Sequence, residues 1–155
     1  MRDILYRAKL KDDYFNKGWQ YGLIHCTWFT SSIFKYWLTP MKKENLTTFD
    51  TVCVNPETIC EYTGLTDKNG TKVFENDIVK IGAYFNNNFI TEDNYICKYS
   101  EETASFRFYY IIPKDIDKVN KYAILSDGVS ITDLGMGFTL EVIGNIFDNK
   151  ELIDE

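Results

Sequence analysis

Tyr62-Thr63-Gly64-Leu65-Thr66-Asp67-Lys68-Asn69-Gly70-Thr71-Lys72-Val73-Phe74-Glu75-Asn76-Asp77-Ile78-Val79-Lys80 lies in the middle of the chain, and its reading decides the fold class. Asn69-Gly70 is the strongest short hairpin signal, because both residues tolerate the positive φ that a type I′ turn requires. Val73 and Phe74 return from that turn, and Glu75-Asn76-Asp77 makes a second polar corner. Ile78 to Ile81 then enters the core as an apolar strand that only Lys80 interrupts. Gly64 is expected to hold a backbone conformation closed to residues with a Cβ. Asp77, placed just before the apolar strand, is positioned to accept backbone N–H bonds at the corner.

Strand signals continue outward on both sides. Toward the N-terminus, Thr58 to Tyr62 reads as a short strand after a turn at Asn55-Pro56-Glu57, and Phe49 to Val54 as another. Ile4 to Leu10 alternates apolar and polar residues; Trp19 to Trp28 reads as one or two strands; Ile33 to Leu38 is a further one, closed by Thr39-Pro40. Met41 to Thr48 is a polar connection. Toward the C-terminus, Asn86-Asn87-Asn88 is a loop or hairpin tip, and Ile90 to Tyr99 is expected to pair with Ala104 to Ile112. In that pair Phe106, Phe108 and Tyr110 share one face while Arg107, Tyr109 and Ile111 share the other. Asp115 to Tyr122 has weak helical spacing, and Ala123 to Leu125 could pair briefly. Phe138 to Ile146 is the last strand, in which Gly144 suggests a bulge or a close backbone approach and Asn145 a turn tied through its amide.

Strands at regular intervals separated by turns predict a mainly β fold, a small SH3-like barrel or sandwich with an additional N-terminal β-rich segment. The expected organisation is a single domain over 1–155, with an aromatic-rich segment at 1–57, a barrel core at 58–146 and a tail at 147–155.

Composition narrows the function. With 45% hydrophobic and 16% aromatic residues, the chain can build a core without disulfides or a metal. Its net charge of −6 repels a phosphate backbone, so nucleic acid is not expected as a partner. Arg2, Arg7, Lys9 and Lys11 are interrupted by Asp3, Asp12 and Asp13 and read as a solvated face. Cys26, Cys53, Cys60 and Cys97 match no zinc spacing and His25 is the sole histidine, so no metal or other cofactor is expected. Neither a charged-then-apolar leader nor an apolar run of membrane-spanning length is present, so the expected setting is cytoplasmic with reduced thiols.

An enzymatic reading would gather Asp67, Glu75 and Asp77 around Mg²⁺ or Mn²⁺ for chemistry on nucleic acid. The architectural reading is preferred for Thr63, Gly64, Leu65, Asp67, Asn69, Gly70, Glu75, Asp77, Gly144 and Asn145, since turns and packing give local reasons for this set. A nucleophile pair at His25 and Cys26 is disfavoured, because neighbouring strand residues point to opposite faces. Trp19, Tyr21, Trp28, Phe29, Phe34, Tyr36 and Trp37 exceed what one side of a small sheet buries. They form either a second core layer or an interface, with Trp19, Trp28, Phe34 and Trp37 the interface candidates.

Three pieces resemble the YopX family of phage and prophage proteins. They are Ile4-Leu5-Tyr6-Arg7-Ala8, the central run from Tyr62 to Val79, and Glu141-Val142-Ile143-Gly144-Asn145-Ile146-Phe147-Asp148-Asn149 with Glu151-Leu152. Lys9 stands where the family usually has Trp, and Asn76 where it commonly has Gly; Asn also tolerates left-handed φ. The resemblance implies a mainly β protein encoded by a phage or prophage and acting in a bacterial cytoplasm, and it carries over no catalytic residue. The expected function is a non-catalytic protein-binding or self-assembling module, a homo-oligomer whose acidic surface suits a basic host or phage protein. The alternatives are a divalent-metal-dependent nucleic-acid enzyme and a single-stranded nucleic-acid binder that stacks bases on its aromatics.

Overall fold

The computed structural model describes residues 3–11, 18–30, 33–40, 51–86, 88–111 and 137–153, with the side chains of 28–30, 33, 34, 85 and 90 outside that description. The chain is mainly β, in curled antiparallel sheets. It forms two compact units, Met1–Tyr62 and Thr63–Glu155.

In the first unit, β1 (Tyr6–Lys9), β2 (Trp19–Thr30), β3 (Ile33–Pro40) and β4 (Val52–Cys53) pair antiparallel in the order β4-β3-β2-β1. The start of β5 (Cys60–Thr66) joins the other side of β1 through Tyr6↔Glu61 and Arg7↔Cys60. A 3-10 turn at Pro56–Thr58 leads into β5; Asn55 caps it by accepting the Glu57 N–H, and Pro occupies a first-turn position where its missing N–H costs nothing. The Thr58 hydroxyl donates to the Asn55 carbonyl and accepts the Lys9 N–H at 2.9 Å, tying that turn to β1. Ala8, Leu38 and Val54 are buried, with Ile24, Tyr36, Val52 and Ile59 packed on them. The period of two therefore turns Ile24, Tyr36 and Leu38 inward while Tyr21, Leu23 and His25 face out. Cys60 is buried with its thiol donating to the Thr58 carbonyl, whereas Cys26 is exposed.

In the second unit, the end of β5 and β6 (Lys72–Phe74) form a hairpin. A separate four-stranded sheet has the order β10-β7-β8-β9, from β7 (Asp77–Phe85), β8 (Asn88–Ser100), β9 (Ser105–Tyr110) and β10 (Phe138–Asn145). Val73, Val79, Ile81, Cys97, Phe108 and Leu140 make the core, with Leu65, Tyr95, Phe106 and Val142 packed against it. Register shifts at Ala83/Tyr84 and Val142/Gly144 bend the strands locally, as bulges do. A 3-10 turn at Lys150–Leu152 follows β10.

The central hairpin differs from the expected type I′ turn. Gly70 has φ +83, while Asn69 is not among the positive-φ residues. The Gly70 N–H donates to the Asp67 carbonyl and the Asp67 N–H to the Thr71 carbonyl, which makes a three-residue loop with one left-handed glycine. The physical reason is the Asp67 carboxylate, which accepts the N–H groups of both Asn69 and Thr71 and closes the loop with Asn69 at ordinary φ.

Several strands also outrun their expected ends. β5 continues past Tyr62 to Thr66, across Gly64 at φ +89, where the Thr63 hydroxyl bridges the kink by donating to the Val73 carbonyl and accepting the Leu65 N–H. β7 extends to Phe85, and Asn86 at φ +49 begins the hairpin tip. The helix expected at Asp115 to Tyr122, the pairing at Ala123 to Leu125 and the connection at Met41 to Thr48 lie outside the described residues.

Candidate functional site

The second unit brings the central and C-terminal motifs together. From the hairpin tip, Asp67 Oδ2 accepts the Val142 N–H at 3.1 Å and the Lys68 N–H donates to the Leu140 carbonyl at 2.9 Å. Lys68 Nζ lies 2.6 Å from Glu141 Oε2, and the Asn69 amide reaches Glu141 at 3.5 Å. The tip thus covers backbone groups of β10, which stands at the end of its sheet, and an edge strand is protected from pairing by such cover.

The polar corner is the second junction. Asn76 holds φ +64, so the left-handed conformation expected for a glycine at this place is kept by Asn. Its N–H donates to the Cys97 carbonyl and its carbonyl accepts the Ile146 N–H. Asp77 is fully buried and accepts the Phe74 N–H at 2.7 Å, closing the corner as expected. Asn145 pairs with Asp77 across β10 and β7. Its Oδ1 accepts the N–H groups of Phe147 and Asp148, both at 3.0 Å, and its Nδ2 donates to Asp148, so it ties the turn through its amide. Gly144 sits at the register shift, and a Cβ there would meet Asn149 Oδ1 at 2.5 Å. Both readings of that glycine, bulge and close approach, hold.

Electrostatics follow from these contacts. Burial pushes the Asp67 carboxyl up, but the N–H groups of Val142, Thr71 and Asn69 outweigh it and hold it below its usual 3.8. The hydrogen bond between Lys68 and Glu141 raises the Lys68 amine and lowers the Glu141 carboxyl. Both side chains are well exposed, so this pair adds little stability.

The three motif carboxylates do not converge. Asp67 and Asp77 hold the backbone groups just named, and Glu75 Oε1 accepts the Tyr99 N–H at 3.4 Å. Among the described residues no group of three or more His, Cys, Asp or Glu side chains is placed to hold a metal ion. His25 and Cys26 are both exposed, and as consecutive residues of β2 they point to opposite faces, His25 opposite Trp37 and Cys26 opposite Tyr36. Trp19 and Trp37 are half-buried, and Trp28 and Phe34 are cross-strand partners whose side chains lie outside the described residues. Arg7 and Lys9 both approach the Trp19 ring, at 4.4 and 5.3 Å from its centroid.

Sequence reading missed an open pocket of about 290 Å³ in the second unit, lined by Lys80, Glu92, Asp93, Asn94, Tyr110, Ile111 and Leu152. Lys80 pairs with Glu92 at 3.5 Å, and Asp93 accepts the Thr91 hydroxyl. Burial, and then the Asp93 carboxylate, raise the phenols of Tyr95 and Tyr110, whose rings meet edge to face at 5.6 Å. Nothing in the linear pattern places Leu152 beside Lys80, so no motif could have announced this pocket. No helix of the described residues is long and apolar enough to cross a membrane.

Comparison with known proteins gives one family. Residues 6–154 match the family described as YopX protein. The chain is similar to the crystal structure of protein EF1440 from Enterococcus faecalis, at 20% identity and TM-score 0.48, over 99% of this chain and 100% of that one. No curated protein matches it.

Proposed function

The chain belongs to the YopX family, and on that premise we propose that it is a non-catalytic protein-binding or self-assembling module of phage or prophage origin, working in a bacterial cytoplasm. The outward face of β2 and β3 in the first unit carries this reading. Tyr21 and Leu23 are 48% and 41% exposed there. The register puts Trp37 on the same face, since His25 is its partner and Leu23 is paired with Thr39. Trp19, at the start of β2, continues the row. The Trp37 indole N–H is satisfied within the sheet by Thr27 at 2.8 Å, leaving an apolar body to offer outward. An apolar patch exposed at Tyr21 and Leu23 and flanked by the half-buried Trp19 and Trp37 is surface of the kind that marks interaction sites.

The motif carboxylates support the non-catalytic part, since their oxygens hold backbone amides rather than a reaction centre. The excess of acidic over basic residues, 23 against 17, suits a basic host or phage protein as a further partner.

Light scattering after size exclusion, at low and moderate salt, tests the reading. The wild type is expected at a multiple of the 18.1 kDa chain mass, and Tyr21→Ser/Leu23→Ser at a lower mass with unchanged circular dichroism. A wild-type monomer at every concentration would remove self-assembly and leave the face to a heterologous partner.

A further inference from the structure

On the hairpin of β8 and β9, Lys98 lies directly opposite Arg107. Like charges in directly opposed positions destabilise a sheet. Neither side chain is in an ion pair among the described residues, where Lys68 pairs with Glu141 and Lys80 with Glu92. Arg107 Nε is moreover buried with no hydrogen-bond partner among them, an arrangement that carries a desolvation cost. In a chain with 23 acidic residues, a facing pair of cations without a carboxylate calls for a source of one.

The next cross-strand step toward the tip is Ser100 opposite Ser105, with the Ser105 hydroxyl 2.9 Å from that of Thr103. Alternation puts Lys98, Arg107, Ser100 and Ser105 on one face of the hairpin. Tyr99 and Phe106 occupy the other face with ring centroids 5.4 Å apart, and Phe106 packs on the core. The tip beyond the serines carries Glu101 and Glu102, both exposed and neither in an ion pair among the described residues.

From the tip inward the order is acid, hydroxyl, base. The bases lie two residues from the serine row, roughly 7 Å along a strand, and the acids one or two residues beyond it. Rotated about a two-fold axis through the serines, the order becomes its own complement. We propose that this face docks on the same face of a second copy of the chain, with Glu101 and Glu102 of each copy against Lys98 and Arg107 of the other. Small Ser100 and Ser105 side chains at the axis let the two hairpins approach. The contact is isologous, as closed two-fold association requires. Its charges fix register and choice of partner more than they add affinity. It rests on the self-assembling reading above and names a second contact for it.

Charge reversal tests it. Lys98→Glu/Arg107→Glu makes the four charges at the tip end of the hairpin all acidic, and Glu101→Lys/Glu102→Lys makes them all basic. Each variant alone is expected to self-associate about tenfold or more weaker than wild type by sedimentation. Mixed in equal amounts, the two restore association as heterologous pairs, and the chain with all four changes associates with itself again. Circular dichroism and melting of each variant establish that it is folded. Unchanged association in the single-sign variants, or a mixture of folded variants that does not restore it, overturns the proposal. An oligomer that responds to Tyr21→Ser/Leu23→Ser and ignores every hairpin reversal overturns the hairpin contact alone and keeps self-assembly. A wild-type monomer overturns both. Binding of a single-stranded oligonucleotide, lost in Lys98→Glu/Arg107→Glu, also overturns it and gives the cations to phosphate.

Discussion

Asp67 holds three backbone N–H groups, those of Asn69 and Thr71 on one oxygen and that of Val142 on the other. Its carboxyl is held below the usual value, so its contribution to stability is fully present above about pH 4 and is lost as pH falls through the lower folded value. Asp67→Asn puts an amide N–H against one of these donors, and a loss of about 1–3 kcal/mol at neutral pH is expected. Urea unfolding between pH 3 and 7 checks this: the wild type should lose stability on acidification through this group, and the variant should show a shallower fall. Equal slopes would mean that the carboxylate is not the titrating group that matters. The residue types here were legible, since an acid, an Asn-Gly pair and a polar corner each have local turn chemistry. The use of Asp67 was only half legible. Its own loop lies within four residues, but the Val142 N–H lies 75 residues away and leaves no mark on the local pattern.

Elements are closed by similar ties at short range. At the end of β10, Gly144 leaves room for Asn149, whose Oδ1 accepts the Asn145 N–H while its Nδ2 donates to Glu151. Gly144→Ala forces that side chain out and is expected to destabilise by about 1–3 kcal/mol. A cycle with Asn149→Ala measures the coupling: if crowding is the cause, the double variant costs less than the sum of the singles. Strict additivity would place the cost in the backbone instead. Alternation made the strands legible, including the face shared by Phe106 and Phe108, and Gly144 announced its bulge. The register of Lys98 on Arg107 was not readable, because it depends on where the intervening turn falls to the residue. The same holds for the Asp67, Glu75 and Asp77 cluster considered for a metal: spacing alone cannot say whether carboxylates meet one another or meet amides.

At the scale of the molecule, aromatic content and evenly spaced turns made the mainly β class readable. The boundary between the two compact units, at Tyr62 and Thr63, falls inside β5 with no linker composition to mark it, five residues beyond the division expected after residue 57. Cys60 and Cys97 are each wholly buried, one in each unit, while Cys26 is exposed and Cys53 intermediate. Thiol reagents attack only a thiolate they can reach, so the cysteines form a built-in set of clocks. In timed alkylation read by peptide mass, Cys26 should be modified first, and Cys60 and Cys97 only as fast as their own units open. Matching rates for the two buried thiols would mean that both units open in one event; separate rates would give each unit its own lifetime, read from an unmodified chain without a single substitution.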